Sequence, residues 1–485
     1  SMLFFYLDLG LLLVYRLLSF KRVLQTGFLI AFSLYFYYRL SETLVVVLLA
    51  SATANYLFGY LMFGMQKLLH KRLLLWFAVL ANIGMLGYYK YTNFFLETLA
   101  SFSSDASFSP LEIIVPAGIS YFTFKALSYV FDVYYERIEE PYKYHEYLLY
   151  QVFFANIQLG PIDRATEFLP QVRAPYSLTR EDTGRGVLFA VSGLIKIGVI
   201  SEMLGTHYVN QIFQQPNHFE GIRVLIAIYA YALMIYCNFS GYSDLAMAVG
   251  QFLGFRLRDN FNAPYQATSI ADFWRRWHIS LSTWLLDYLF TPLQMSFRRL
   301  GNYGTAIALL ITFFLCGVWH GAGINFVLWG AYHGIIMALS FLTRDIRKGF
   351  IQRIGIPEKV WKPVQIFITF HLIGAGWILF GTDSIENAGY MISQIRDNFH
   401  ASILFSTDPT TGAWTSQLLD AYWSTFVFMV LGAVIVFFPG KSTSWFEKKV
   451  INSPLILQAF LLALSVWLVA QAKSADLSAP IYFQF

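Results

Sequence analysis

The side chains in this sequence that could do chemistry fall in four short segments, each beside or inside a strongly apolar run. At membrane depth a polar group is costly unless it is paired or faces water, so such groups mark function. In Leu315-Cys316-Gly317-Val318-Trp319-His320-Gly321-Ala322-Gly323 a histidine sits at the break between two apolar runs, among glycines that let backbone or ligand come close. A neutral imidazole in a low-dielectric passage can act as a general base at ordinary pH. The alternative is a histidine that bonds a neighbouring carbonyl and holds helices together.

The second segment is Asp272-Phe273-Trp274-Arg275-Arg276-Trp277-His278-Ile279-Ser280, followed by an amphipathic stretch from Leu281 to Phe290. Two guanidinium forks between two indoles suit a cytoplasmic interface, where Arg275 and Arg276 could grip a phosphate-bearing donor or a lipid headgroup. His278 is a second catalytic group or a structural hydrogen bonder. Asn238-Phe239-Ser240-Gly241-Tyr242-Ser243-Asp244 closes an apolar run and places Asp244 in or near the membrane, where a histidine or arginine of the second segment would serve as its partner. The fourth segment, Gly160-Pro161-Ile162-Asp163-Arg164 with Phe168-Leu169-Pro170-Gln171, reads as an architectural turn, with Arg164 within reach of a donor. His333 falls in the next apolar helix and is expected to face the bundle interior, and His371 is similar. His70, His145, His207, His218 and His400 fall in or beside loops.

The elements that must position these groups are membrane helices. Of the 485 residues 57% are hydrophobic and 13% charged, against roughly 25% charged in a soluble domain. Apolar stretches at 3–18, 24–38, 43–63, 73–90, 113–135, 187–204, 222–236, 303–318, 324–342, 364–380, 424–438 and 455–472 predict about eleven transmembrane helices. Shorter pieces at 146–160 and 241–254 read as re-entrant or buried helices. The fold class is therefore all-α and polytopic, in a single membrane-embedded unit: 1–112 peripheral helices, 113–380 core, 381–485 C-terminal helices and tail. Ser1 reads as an expression scar, and no cleavable signal peptide is evident.

Lys21/Arg22, Lys67/Lys71/Arg72 and the basic run from Arg344 to Lys362 mark cytoplasmic loops. The intervening 91–112, 205–221 and 382–420 are poor in Lys and Arg, so both termini are expected outside. The two cysteines, Cys237 and Cys316, lie in apolar runs and offer no disulfide framework. No metal-ligand pattern, phosphate loop, dinucleotide fingerprint or Gly-x-Ser-x-Gly elbow occurs. The basic surplus of five is explained by the loops and does not call for nucleic acid.

Taken together, Pro116-Ala117-Gly118-Ile119-Ser120-Tyr121-Phe122-Thr123-Phe124, Gly160 to Arg164, Gly241-Tyr242-Ser243-Asp244, Asn260-Phe261-Asn262-Ala263-Pro264-Tyr265, Trp274 to Ser282 and Val318-Trp319-His320-Gly321 resemble the membrane-bound O-acyltransferases (MBOAT), of the alginate and peptidoglycan O-acetylase branch. The resemblance implies that His320 is the catalytic histidine and His278 the second signature histidine. It further implies helices around a central tunnel that narrows at His320, acetyl-coenzyme A as donor with no resident cofactor, and the inner membrane of a bacterium. Trp274, Arg275, Arg276, Trp319, Asp244 and Asn262 are the expected substrate-binding residues. An alginate-like exopolysaccharide or peptidoglycan would be acetylated through an SGNH-type extracytoplasmic partner.

The chain's last residues, Pro480-Ile481-Tyr482-Phe483-Gln484-Phe485, are similar to the ending of small partner peptides in D-alanylation systems. By that likeness Tyr482 is expected to relay the acyl group, an aryl ester having the better leaving group. An interfacial aromatic anchor is the alternative. Two other function classes remain at this point: a proton-coupled transporter or flippase, and a non-catalytic anchor for an envelope enzyme. A transporter is expected to show paired repeats with broken helices, and none is visible.

Overall fold

A computed structural model describes residues 2–101, 110–407, 414–437 and 441–472. Every apolar run of the sequence meets a helix, from Met2–Leu17 to Leu455–Ala472. Among the described residues nine stretches are long and apolar enough to cross a membrane, and one of them, Arg22–Gly64, holds two helices, Arg22–Ser41 and Val45–Gly64. The protein is thus an all-α, multi-pass membrane protein. Its described extended backbone is limited to Ser406–Thr407 paired with Trp414–Thr415 and one isolated bridge between Phe261 and Trp277.

The chain divides into two compact units, 1–190 with 243–259, and 191–242 with 260–485. In the first, the helix Ile119–Tyr134 is buried over nearly its whole length. Its Lys125 Nζ donates to Asn156 Oδ1 at 3.1 Å, and Asn156 in turn donates to Asp163. The other Asp163 oxygen accepts from the Arg258 backbone N–H at 3.1 Å. Buried ammonium and carboxylate are tolerable only when bonded in this way. The Gly160–Arg164 turn is accordingly an architectural joint, with Arg164 itself only 3% exposed. The short helix Tyr144–Val152 is buried, as the 146–160 piece led us to expect.

Two expectations are corrected. The piece 241–254 is not a separate buried or re-entrant helix: Gly221–Phe252 runs as one helix of 32 residues. The polar cluster Asn238–Asp244 resembles a helix end in sequence, yet it lies within this helix, where Asn238 Nδ2 donates to Ser201 Oγ at 3.3 Å. Likewise 205–221 is not all loop, because the membrane-length stretch Arg180–Gln214 carries helical backbone past His207 through a π-helical turn, Gly205–Val209.

The core of the second unit is aromatic. Tyr265 Oη donates to the Ala232 carbonyl at 2.8 Å and accepts from Trp377 Nε1 at 3.1 Å. Trp277 lies between Phe273 and Trp377, with centroids 5.5 and 5.1 Å away. Large rings fill space at low conformational cost, and their N–H and O–H groups still require partners, which Tyr265 and Trp377 find in each other and in backbone.

Candidate active site

His320 is the last residue of the helix Gly301–His320. Gly321 then turns extended, and Ile324–Leu342 begins three residues later. The two helices touch backbone to backbone: a Cβ on Gly317 would stand 2.7 Å from Gly330 Cα. That approach brings Trp329 against His320, with centroids 5.0 Å apart and the rings perpendicular. Trp319 at 4.8 Å and Phe380 at 5.3 Å enclose it further.

His278 reaches the same cluster by a different route. It caps the helix Ile279–Leu285 with left-handed backbone, φ 44°, a conformation that costs a side-chain-bearing residue on the order of 1 kcal/mol. Two strands' worth of bonds hold it there. The bridge Phe261–Trp277 is flanked by Asn262 N–H donating to the Arg276 carbonyl and Ile279 N–H donating to the Asn260 carbonyl, each 2.9 Å. The imidazole is fully enclosed, edge to face with Phe239 at 4.5 Å and 6.5 Å from Trp319. Burial alone pushes its pKa down to about 3, so the ring is neutral.

A third histidine completes the group. Trp274 Nε1 donates to His333 Nδ1 at 3.4 Å, and Trp329 stands 4.8 Å from the same ring. An indole can only donate, so His333 Nδ1 is an acceptor. The rings form one contiguous band, His278, Trp319, His320, Trp329, His333, Trp274. Within it, exposure is 0% for His278, 1% for His333 and 8% for His320. Of the three histidines, His320 is the least buried.

The remaining expected residues are placed as follows. Trp274 and Trp277 are buried at 6% and 2% exposure, so the pair is core rather than an interfacial belt. Arg275 is exposed. Arg276 Nε bonds Asp272 Oδ1 at 3.0 Å, so its carboxylate comes from its own helical turn rather than from Asp244. Asn262 is exposed. Asp244 is buried in the helix Gly221–Phe252 and belongs to the other unit. Tyr482 lies outside the described residues. Three site residues went unassigned in the sequence: Asn260, which bonds His278, and Trp329 and Phe380, which wall His320. Asn260 stood two positions from Asn262 in a segment already singled out; nothing local distinguishes the two rings from ordinary core.

Comparison with known proteins bears on the same residues. The family model of the MBOAT, membrane-bound O-acyltransferase family matches residues 30–382. The probable alginate O-acetylase AlgI of Pseudomonas aeruginosa is 32% identical over 319 residues, 65% of this chain and 58% of that protein. The peptidoglycan O-acetyltransferase of Helicobacter pylori is 31% identical over 386 residues, 74% of this chain and 71% of that protein. The teichoic acid D-alanyltransferase of Bacillus subtilis is 29% identical over 283 residues, 56% and 70% of the two chains. The chain thus spans under two thirds of the length of the alginate O-acetylase it matches. The family match contains all three histidines of the cluster and both glycines that join their helices, and the chain belongs to the membrane-bound O-acyltransferase family.

Proposed function

We propose that this chain is an O-acetyltransferase that takes acetyl from cytoplasmic acetyl-coenzyme A and delivers it across the membrane for O-acetylation of a cell-envelope or secreted polysaccharide. The observation that carries the reading is the enclosed cluster of three imidazoles, in which His320, at 8% exposure, is the least buried. In this role His320 accepts the proton of an acceptor hydroxyl as its oxygen attacks the thioester carbonyl. The C–S bond then breaks, and the imidazolium returns the proton to the leaving thiolate. Water-poor aromatic walls favour transfer over hydrolysis. Arg275 is free to meet donor phosphates, with Arg276 beside it held by Asp272. The names of the relatives support alginate-like polymer or peptidoglycan as the final acceptor, and in this reading an SGNH-type extracytoplasmic partner completes the transfer. Tyr482 serves as the relay to that partner.

Release of coenzyme A thiol by purified protein tests the reading. His320→Ala is expected to lower turnover by about 10²–10⁴-fold, the range for loss of a general base. A transporter or a passive anchor would release none, and full turnover in the variant would refute the assignment of His320. In cells, Tyr482→Phe is expected to abolish polymer acetylation, and thioester cleavage by the purified protein should fall with it because the accepting hydroxyl is gone; unimpaired acetylation ends the relay.

A further inference from the structure

His278 carries a polar atom that the enclosed ring leaves unused: Nε2 is buried and has no hydrogen-bond partner among the described residues. What fixes that atom's state is Asn260, itself 1% exposed. The Ser280 backbone N–H can only donate, so the Asn260 atom 3.2 Å from it is the carbonyl oxygen Oδ1. Ser280 Oγ donates to the same oxygen at 2.8 Å. His278 Nδ1 lies 3.1 Å from that oxygen as well, and a bond between them requires the hydrogen to sit on Nδ1. A neutral imidazole has one ring hydrogen, so Nε2 is left as a bare lone pair. The ring meets Phe239 and Trp319 and bonds Asn260, none of them charged, and burial is the sole cause of the lowered basicity of His278. A buried acceptor without a donor is disfavoured unless a ligand supplies one.

We propose that Asn260 is a positioning residue that holds His278 in its Nδ1–H form, so that His278 Nε2 accepts a hydrogen bond from an O–H or N–H group of bound substrate. This rests on the acyl-transfer reading above. Two sources share that chemistry, the acceptor's hydroxyl and an amide N–H of the donor's pantetheine arm.

The test uses the full-length purified protein. With nitrogen-15-labelled histidine, the His278 signals, assigned by their loss in His278→Gln, are expected to show Nδ1 protonated and Nε2 bare. A protonated Nε2 overturns the proposal. Asn260→Asp keeps the accepting oxygen but adds a negative charge that favours imidazolium, raising the His278 pKa by at least about one unit. Activity that needs a bare Nε2 is then lost as pH falls through the raised value, adding an acidic limb absent from wild type. A profile superimposable on wild type in a folded Asn260→Asp variant overturns the proposal. Asn260→Leu is expected to lower kcat or raise a KM at least tenfold. A raised KM for acetyl-coenzyme A assigns the donor amide, whereas a raised acceptor KM or lowered kcat assigns the hydroxyl. No change in any of the three sinks the idea. Absence of wild-type turnover would remove the acyl-transfer reading, while the nitrogen spectrum would still decide the tautomer.

Discussion

At the scale of single residues, three imidazoles in one band of rings are given different work by their immediate partners. His333 is committed as an acceptor to Trp274, His278 is committed at Nδ1 to Asn260, and His320 ends a helix as the least buried of the three. If the Trp274 indole holds His333, Trp274→Phe leaves a buried nitrogen without its donor. Thermal unfolding in detergent should then show a loss of about 1–3 kcal/mol, and a variant as stable as wild type would argue against the bond. His320 stood out in the sequence because it lies among glycines at a break between apolar runs, and the motif it shares with the family it resembles, more than its chemistry alone, set it above a structural histidine. Asn260 did not stand out, because its role depends on a carbonyl pointing at two residues 18 and 20 positions later.

Elements decide whether those partners meet. The helices Gly301–His320 and Ile324–Leu342 approach so closely at Gly317 and Gly330 that a methyl group on Gly330 would stand 2.8 Å from Gly317 Cα. Gly330→Ala must therefore push the helices apart, and we expect it to cost about 1–3 kcal/mol and to depress turnover by displacing Trp329 from His320. Gly349→Ala, in the exposed helix Arg344–Ile354 with nothing within 4 Å of the added carbon, is the control and should be neutral or slightly stabilising. Equal behaviour of the two variants in thermal unfolding would refute the close-approach argument. Element boundaries were the weaker part of the sequence reading. Each membrane-length helical stretch among the described residues overlaps an apolar run of the sequence, but the polar cluster Asn238–Asp244 lies within a helix and not at its end. Composition records how polar a segment is and not whether a neighbouring helix satisfies it.

For the whole molecule, the loop charges predict that 344–362 is cytoplasmic and 382–420 lies outside. Both native cysteines are buried, so single exposed cysteines can report on topology. In intact cells a membrane-impermeant maleimide should label Glu386→Cys and spare Lys348→Cys until the membrane is opened. The reverse pattern would invert the proposed entry of the donor.

The apolar stretches were enough to establish an all-α polytopic membrane protein, because insertion into lipid constrains each segment by its own composition, while the family was legible only through the resemblance of its motifs. Which atoms face one another inside that frame was decided elsewhere. The Asn260–His278 bond, the Trp274–His333 bond and the rings around His320 join residues up to about sixty positions apart, across separate helices and turns. Such contacts depend on how helices cross and where glycine lets them close, which are properties of packing and not of any one stretch of chain.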